Sequence, residues 1–487
     1  MSVSRIVRGV GLLGLTVTPL VAQSRPAPAI TYTPYTLRAN DGTTVEAELG
    51  AFEVPERRAA TGSRRITLRF VRLRSTSATL GDPIIYLAGG PGASGIRTAS
   101  GARFPLFMAL RALGDVIALD QRGVGQSSPL PPCQPSDSLD PVQPVTRTAL
   151  VDLYRRGLTE CMARWTASGI DIDGYTTREN AADIDDLRRA LGARQVRLWG
   201  ISYGSHLGLA VLKYHGAGIS RAVFAGIEGL EQTVKLPAYT DSLVARVQAL
   251  INRDSVLRAA YPDVAATMRR VHARLDSAPV RLSTTPPGGR TPVTASIDAF
   301  PVQLLVGGMI ADPPGIARVP LLYAALDAGR YEFIAGPLLQ QMPSGAPRFA
   351  GMPELMDIAS GIDPARRALV ATQATRGVLG DALNFPMPQL DGLRPSLDLG
   401  ASFRAPFRSD VPVLFLSGTL DGRTAVDEGR TALRGLRRGT QVIVEHGGHN
   451  LFEADQQVAD AVVAFLRGEA VPARIVLRPP TIALPPR

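Results

Sequence analysis

Lysine is nearly missing from this chain: Lys213 and Lys235 are the only two, although lysine and arginine together number 53 and the net charge is +10. The positive charge is therefore arginine, scattered through helical stretches beside Asp and Glu, with no basic block interleaved with aromatics. That pattern argues against a nucleic-acid surface and leaves charge to support only weak nonspecific contacts. Cysteine is equally scarce, with Cys133 and Cys161 alone, and there are only five histidines. So few ligands exclude a metal site, and no cofactor is expected. No internal repeat is present. The apolar stretch over 9–22 is too short to span a bilayer comfortably. Arg5 and Arg8 precede it and small residues follow, the layout of a secretory signal cut after Ala22 or Ala29. No cysteine stands at that junction to accept a lipid. The expectation is an exported protein, periplasmic or extracellular, with no stable membrane insertion after cleavage. In that compartment Cys133 and Cys161 should join, and closing a loop of about 28 residues contributes roughly 3–4 kcal/mol in the chain-entropy model.

What is present is a globular chain of 487 residues, 45% hydrophobic and 20% charged, longer than one ordinary core requires. Alternating apolar and polar side chains predict antiparallel strands over 44–54 and 65–74. Strand-like runs near Ile84, Val116, Val196, Ala222, Val413 and Val442 then alternate with helical stretches. That alternation predicts a mostly parallel sheet covered by helices on both faces. A helix is expected over 175–191, with Thr177 as its N-cap and Gly192 as its stop. Residues 228–404 interrupt the alternation with helical stretches such as 243–251 and a loop at Pro286, Pro287, Gly288 and Gly289. The organisation expected is a signal at 1–29, a core at 30–227, an inserted and mainly helical cap at 228–404, and the rest of the core at 405–470. A proline-rich tail at 471–487 should lie extended along the surface.

The chemistry is written most plainly at Gly200, Ile201, Ser202, Tyr203 and Gly204, a G-x-S-x-G that follows a strand-like run over 195–199 and precedes a helical one. A serine on a sharp strand-to-helix turn takes a strained backbone, and flanking glycines let strand and helix pass close by. Its hydroxyl is then exposed at the C-terminal edge of a sheet. The backbone N–H of Tyr203 would sit at a helix N-terminus, where a developing oxyanion is stabilised. Upstream, an apolar run over 84–87 ends in a glycine-rich loop over 88–95, in which Gly90 is the candidate second oxyanion donor. A serine nucleophile needs a base, and the base an orienting carboxylate. His206 and His215 lie on or just after the nucleophile helix, too near in sequence to return over Ser202. His272 stands in an arginine-rich stretch and is expected to face solvent. Of the remaining two, His446 ends a strand, whereas His449 lies beyond Gly447 and Gly448 with room to reach the serine, so His449 is preferred. Asp421 stands just beyond a strand end, while Asp427 falls inside the following helix and reads as solvated. The order Ser202, Asp421, His449 is that of the α/β-hydrolase fold.

Five stretches together resemble the proline iminopeptidase and tripeptidyl aminopeptidase-like branch of the α/β-hydrolases. They are G-G-P-G-A-S-G at 89–95, D-Q-R-G-V-G-Q-S at 120–127, Y-T-T-R-E-N-A-A-D-I-D-D-L-R-R-A-L-G at 175–192, the elbow, and S-G-T-L-D-G-R-T at 417–424. The resemblance covers nearly the whole chain after its signal. It implies a serine exopeptidase acting on peptide N-termini, with Ser202 as nucleophile, Asp421 and His449 completing the triad, and Gly90 and Tyr203 forming the oxyanion hole. Asp120 and Arg122 are read as holding their loop rather than touching substrate.

An aminopeptidase must hold a cationic amine, and Glu228 and Glu231, entering the cap after a strand over 221–225, are candidates for it. A solvated pair at a helix start is the other reading of the same two residues. In the stretch 352–367, relatives often carry a cysteine and an acidic residue where this chain has Ile358 and Ser360, a departure that bears on amine recognition. An esterase using the same triad on small acyl esters is the alternative: a buried carboxylate near the pocket favours a peptide substrate, an all-apolar cap an ester. A hydrolase-like binding protein is disfavoured, because each catalytic position holds a competent residue. Oligomeric state is not legible here.

Overall fold

The computed structural model describes residues 27–79, 81–140, 143–285, 292–341 and 347–485. All but the end of the expected signal, and the Pro286 to Gly289 loop, lie outside them. Three antiparallel strands, β1 (Thr31–Arg38), β2 (Thr44–Pro55) and β3 (Arg65–Leu73), lead into β4 (Ile84–Leu87), β5 (Val116–Leu119), β6 (Val196–Ser202) and β7 (Ile219–Ile227). A hairpin of β8 (Val280–Thr284) and β9 (Val293–Ile297) stands apart, and β10 (Val413–Gly418), β11 (Gly439–Glu445) and β12 (Arg474–Val476) finish the main sheet. That sheet has ten strands in the order β1-β2-β3-β5-β4-β6-β7-β10-β11-β12, parallel from β5 onward.

Strands β4, β5 and β10 are buried along their whole length because helices cover both faces. Successive side chains divide between the two layers: Trp199, Val223 and Leu416 join one apolar cluster, while Leu198, Phe224 and Phe415 join the other. Each large side chain fully buried in this way contributes roughly 1.5–3 kcal/mol. Between β7 and β10 the sheet is interrupted by helices including Pro237–Ile251, Val264–Ser277, Ala299–Met309 and Val319–Asp327, which share an apolar core of their own around Val247, Met268, Val302 and Tyr323. Cys133 and Cys161 form a disulfide with Cα atoms 5.7 Å apart, and the Cys133 backbone pairs with that of Phe349. Among the described residues, no helix is long and apolar enough to cross a membrane.

Three local expectations are corrected. Thr176, not Thr177, caps the helix Thr177–Ala190, its hydroxyl accepting from the Glu179 N–H, because Thr177 is already helical. The tail is not merely extended on the surface: its proline-free stretch supplies edge strand β12, with Ile475 buried. His272 does not face solvent; it is buried on the face of Val264–Ser277 that carries Met268 and Leu275, with Nε2 2.7 Å from the Tyr323 hydroxyl.

Candidate active site

Ser202 ends β6 with φ 56° and ψ −127°, a region nearly closed to residues with a Cβ. The two glycines of its motif are required by contact. A Cβ on Gly204 would lie 2.0 Å from the Leu87 carbonyl oxygen, and one on Gly200 would lie 2.9 Å from that of Gly204. The turn is tied by the Ser205 hydroxyl, which donates to the Ser202 carbonyl at 2.6 Å and accepts from the Glu228 N–H at 2.9 Å. The glycine-rich loop after β4 runs beside it: a Cβ on Gly89 would come within 3.1 Å of the Ser202 Cβ. Gly90 follows at φ 111°, and Tyr203 opens the helix Tyr203–His215.

Asp421 lies just past β10 and is buried. Its Oδ1 accepts from the N–H groups of Arg423 and Thr424 at 2.7 and 2.9 Å, and its Oδ2 from the Thr424 hydroxyl at 2.6 Å and from His449 Nδ1 at 2.9 Å. Burial pushes this carboxyl up, but the His449 charge and these hydrogen bonds outweigh it and hold the group below its ordinary value. With Nδ1 donating to Asp421, Nε2 of His449 is left to accept a proton. β6 and β7 pair Ser202 with Ile227, and the His449 ring lies against the adjoining Gly226. His446 turns the other way, its Nδ1 2.9 Å from the Leu477 carbonyl of the tail. Asp427 is exposed.

The two glutamates suggested for amine recognition part company. Glu228 is buried, and its carboxylate accepts from Lys235 Nζ at 2.5 Å. Glu231 lines a separate cavity with Arg404, Phe407 and Arg434. Sequence reasoning missed Asp357, on the helix Met352–Ser360. Burial and then the Glu228 carboxylate push its carboxyl up to about 8, opposed by Lys235. That helix packs on the glycine-rich loop: a Cβ on Gly92 would lie 2.5 Å from Pro353 Cγ. It is also bonded to the helix Tyr203–His215. The Ser360 hydroxyl lies 3.2 Å from Thr177 Oγ1 and 3.0 Å from His206 Nε2, and His206 Nδ1 reaches the Gly229 carbonyl at 3.0 Å. A carbonyl only accepts, so Nδ1 donates, and burial pushes the imidazole pKa down. The departure at Ser360 is thus a structural hydroxyl, and a carboxylate stands three residues earlier.

Asp120 and Arg122 hold their loop. Asp120 accepts from the Ser94 hydroxyl and the Gln126 N–H, and the fully buried Arg122 forks onto both oxygens of Asp183 at 2.7 Å.

Residues 82–280 match the family model for the alpha/beta hydrolase fold, and residues 399–476 that for TAP-like protein. A tripeptidyl aminopeptidase from Streptomyces coelicolor is 30% identical over 172 residues, 33% of this chain and 31% of the relative. A probable proline iminopeptidase from the same organism is 28% identical over 147 residues, 30% of this chain and 33% of the relative. The chain thus spans about a third of the length of these curated relatives. A solved esterase from Thermogutta terrifontis aligns over 85% of this chain and 98% of its own, at 14% identity and a TM-score of 0.36.

Proposed function

The chain belongs to the α/β-hydrolases, with a TAP-like C-terminal part, and from that premise we propose that it is an exported serine exopeptidase that removes residues or short peptides from peptide N-termini. Ser202 attacks the scissile carbonyl as His449 takes its proton through Nε2, and Asp421 holds the imidazole and stabilises its charged form. The oxyanion is received by the backbone N–H groups of Gly90 and Tyr203. His449 then returns the proton to the leaving amine, and water hydrolyses the acyl-enzyme by the same route in reverse.

The observation that carries the peptide reading is the pair of carboxylates beside this machinery. Glu228 follows β7 directly, and Asp357 projects from the helix that packs on the glycine-rich loop; the Glu228 charge is near enough to push the Asp357 carboxyl up. Lys235 already neutralises Glu228, so Asp357 is the group whose ionisation an incoming ammonium would complete. An enzyme for neutral acyl esters gains nothing from setting a half-buried carboxylate against a buried one, which costs free energy unless a cation answers them. The disulfide supports export, since such bonds persist in oxidising compartments.

The test is a matched panel of aminoacyl and tripeptidyl amides with free amines, their N-acetylated counterparts, and short-chain acyl esters, measured with wild type and Ser202→Ala. Cleavage of free-amine amides alone, abolished in the variant, is the expected result. Ester turnover without amide cleavage would overturn the peptidase reading in favour of a carboxylesterase.

A further inference from the structure

Beside Asp421, against Ile227 of β7, lies a cavity lined by three cations, Lys235, Arg366 and Arg423. Two of them are answered within the chain. Lys235 binds the Glu228 carboxylate at 2.5 Å and the Thr233 carbonyl at 2.8 Å, and Arg366 binds the Glu428 carboxylate at 3.0 Å and the Val234 carbonyl at 2.7 Å. Arg423 is not. Among the described residues its guanidinium makes one hydrogen bond, to the Gly307 carbonyl at 3.5 Å, too long to count for much. Among the described residues, no carboxylate stands within ion-pair distance of it.

The acidic groups around Arg423 are engaged elsewhere. Asp421 is taken by His449, Thr424 and two backbone N–H groups, and Glu228 by Lys235. Asp357 acts on Arg423 only at longer range. Burial outweighs all three of these attractions and lowers the guanidinium pKa, so the cation is undercompensated where it stands. Arg423 is half-buried, so its guanidinium has lost part of its water without gaining a carboxylate, and its planar fork fits a carboxylate better than any other small anion-bearing group of a peptide.

We infer that Arg423 is a specificity-determining residue that receives a carboxylate of the substrate in this cavity. On the peptide reading above the substrate's ammonium group is met by Asp357, which lies outside the cavity lining; the carboxylate contact does not depend on that reading. The preferred substrate then carries a negative group close to the scissile bond. Two sources supply one: the side chain of an acidic residue at or next to the N-terminus, and the terminal carboxylate of a short free peptide.

The experiment compares kcat/KM within matched pairs. Amides with Glu or Gln at the first or second position test the side-chain source. A short peptide as free acid or as C-terminal amide tests the terminal source. The 4-nitrophenyl esters of succinate and butyrate test the charge on an ester. Each pair is measured on wild type, Arg423→Gln and Arg423→Lys. The expected result is a wild-type ratio favouring the anionic member by roughly ten- to hundredfold, the range of a charge-assisted hydrogen bond, carried by KM. The ratio should collapse in Arg423→Gln and survive in part in Arg423→Lys. Because both members of a pair are read on one preparation, a loss of folded protein cancels. An anionic preference in any one pair that Arg423→Gln abolishes supports the inference and identifies the source. A ratio unchanged by Arg423→Gln in every pair overturns it. If no amide is cleaved, the peptidase reading fails while the ester pair still decides the role of Arg423.

Discussion

Gly226 and His449 are in contact so close that no other residue fits at position 226: a Cβ there would lie 2.8 Å from His449 Cε1 and 2.9 Å from Nδ1, and Gly226 also holds φ 55°. Gly226→Ala must therefore displace the imidazole or the strand end that carries it. A misplacement of about 1 Å in a catalytic group costs on the order of a hundredfold in rate. The expected outcome is a loss of that order in kcat for every substrate, amide or ester, with KM little changed. A variant that keeps wild-type kcat would mean that the His449 ring has no fixed role here.

Asp357 should leave a signature in stability as well as in binding. Its carboxyl ionises near 3.8 when unfolded and near 8 when folded, because of burial and the Glu228 charge, with Glu354 adding to the rise and Lys235 and Arg423 opposing it. Between those values the folded state holds the extra proton, so this group's contribution to stability falls as pH rises across the window. Asp357→Asn removes the dependence. The variant's Tm should match that of wild type near pH 4 and exceed it increasingly toward pH 8, while its KM for free-amine substrates rises. A Tm difference independent of pH would show that the carboxyl ionises normally.

His272 works in the opposite sense. Burial drives its pKa from 6.5 down to about 4, against a weaker upward pull from the Val378 backbone. Between those values the unfolded state binds the extra proton, so stability is lost as pH falls from 6.5 to 4, by roughly 3 kcal/mol at about 1.4 per unit. Replacing His272 by Gln, which can still reach the Tyr323 hydroxyl, should flatten the acid limb of the urea-denaturation midpoint plotted against pH. An unchanged limb would place the acid sensitivity elsewhere.

The parts of the site that sequence revealed are those whose chemistry is local. Gly200 and Gly204 bracket Ser202 within one turn, and the loop after β10 carries Asp421 together with Thr424, whose hydroxyl and N–H both bind it. Asp357 was not legible, since its distinction comes from Glu228 on another element, and the pairing exists only once the helix Met352–Ser360 docks on the glycine-rich loop. Arg423 stood in plain view beside Asp421, but a chain rich in arginine does not say which guanidinium lacks an answering carboxylate. His272 was misjudged from its arginine neighbours, although its spacing from Met268 and Leu275 on a helix was visible. Strand β12 was hidden by the prolines on either side of Arg474–Val476.

The disulfide offers a last test, because it joins stability to the helix that carries Asp357. The bond closes a loop of separation 28, and removing it should cost roughly 3–4 kcal/mol by chain entropy. Its effect should also be uneven. Cys161 is anchored in the helix Arg147–Ala167, whereas Cys133 is paired through its backbone with Phe349, which lies just before the helix bearing Asp357. Freeing Cys133 loosens the approach to that helix and leaves Ser202, Asp421 and His449, held by the sheet, in place. Cys133→Ser/Cys161→Ser should therefore lower Tm at all pH values and raise KM for free-amine amides several-fold. The kcat for a small acyl ester should be reduced only in proportion to the folded fraction. Equal losses on both substrate types, after correction for folded protein, would mean that the disulfide braces the catalytic core directly and not the helix that carries Asp357.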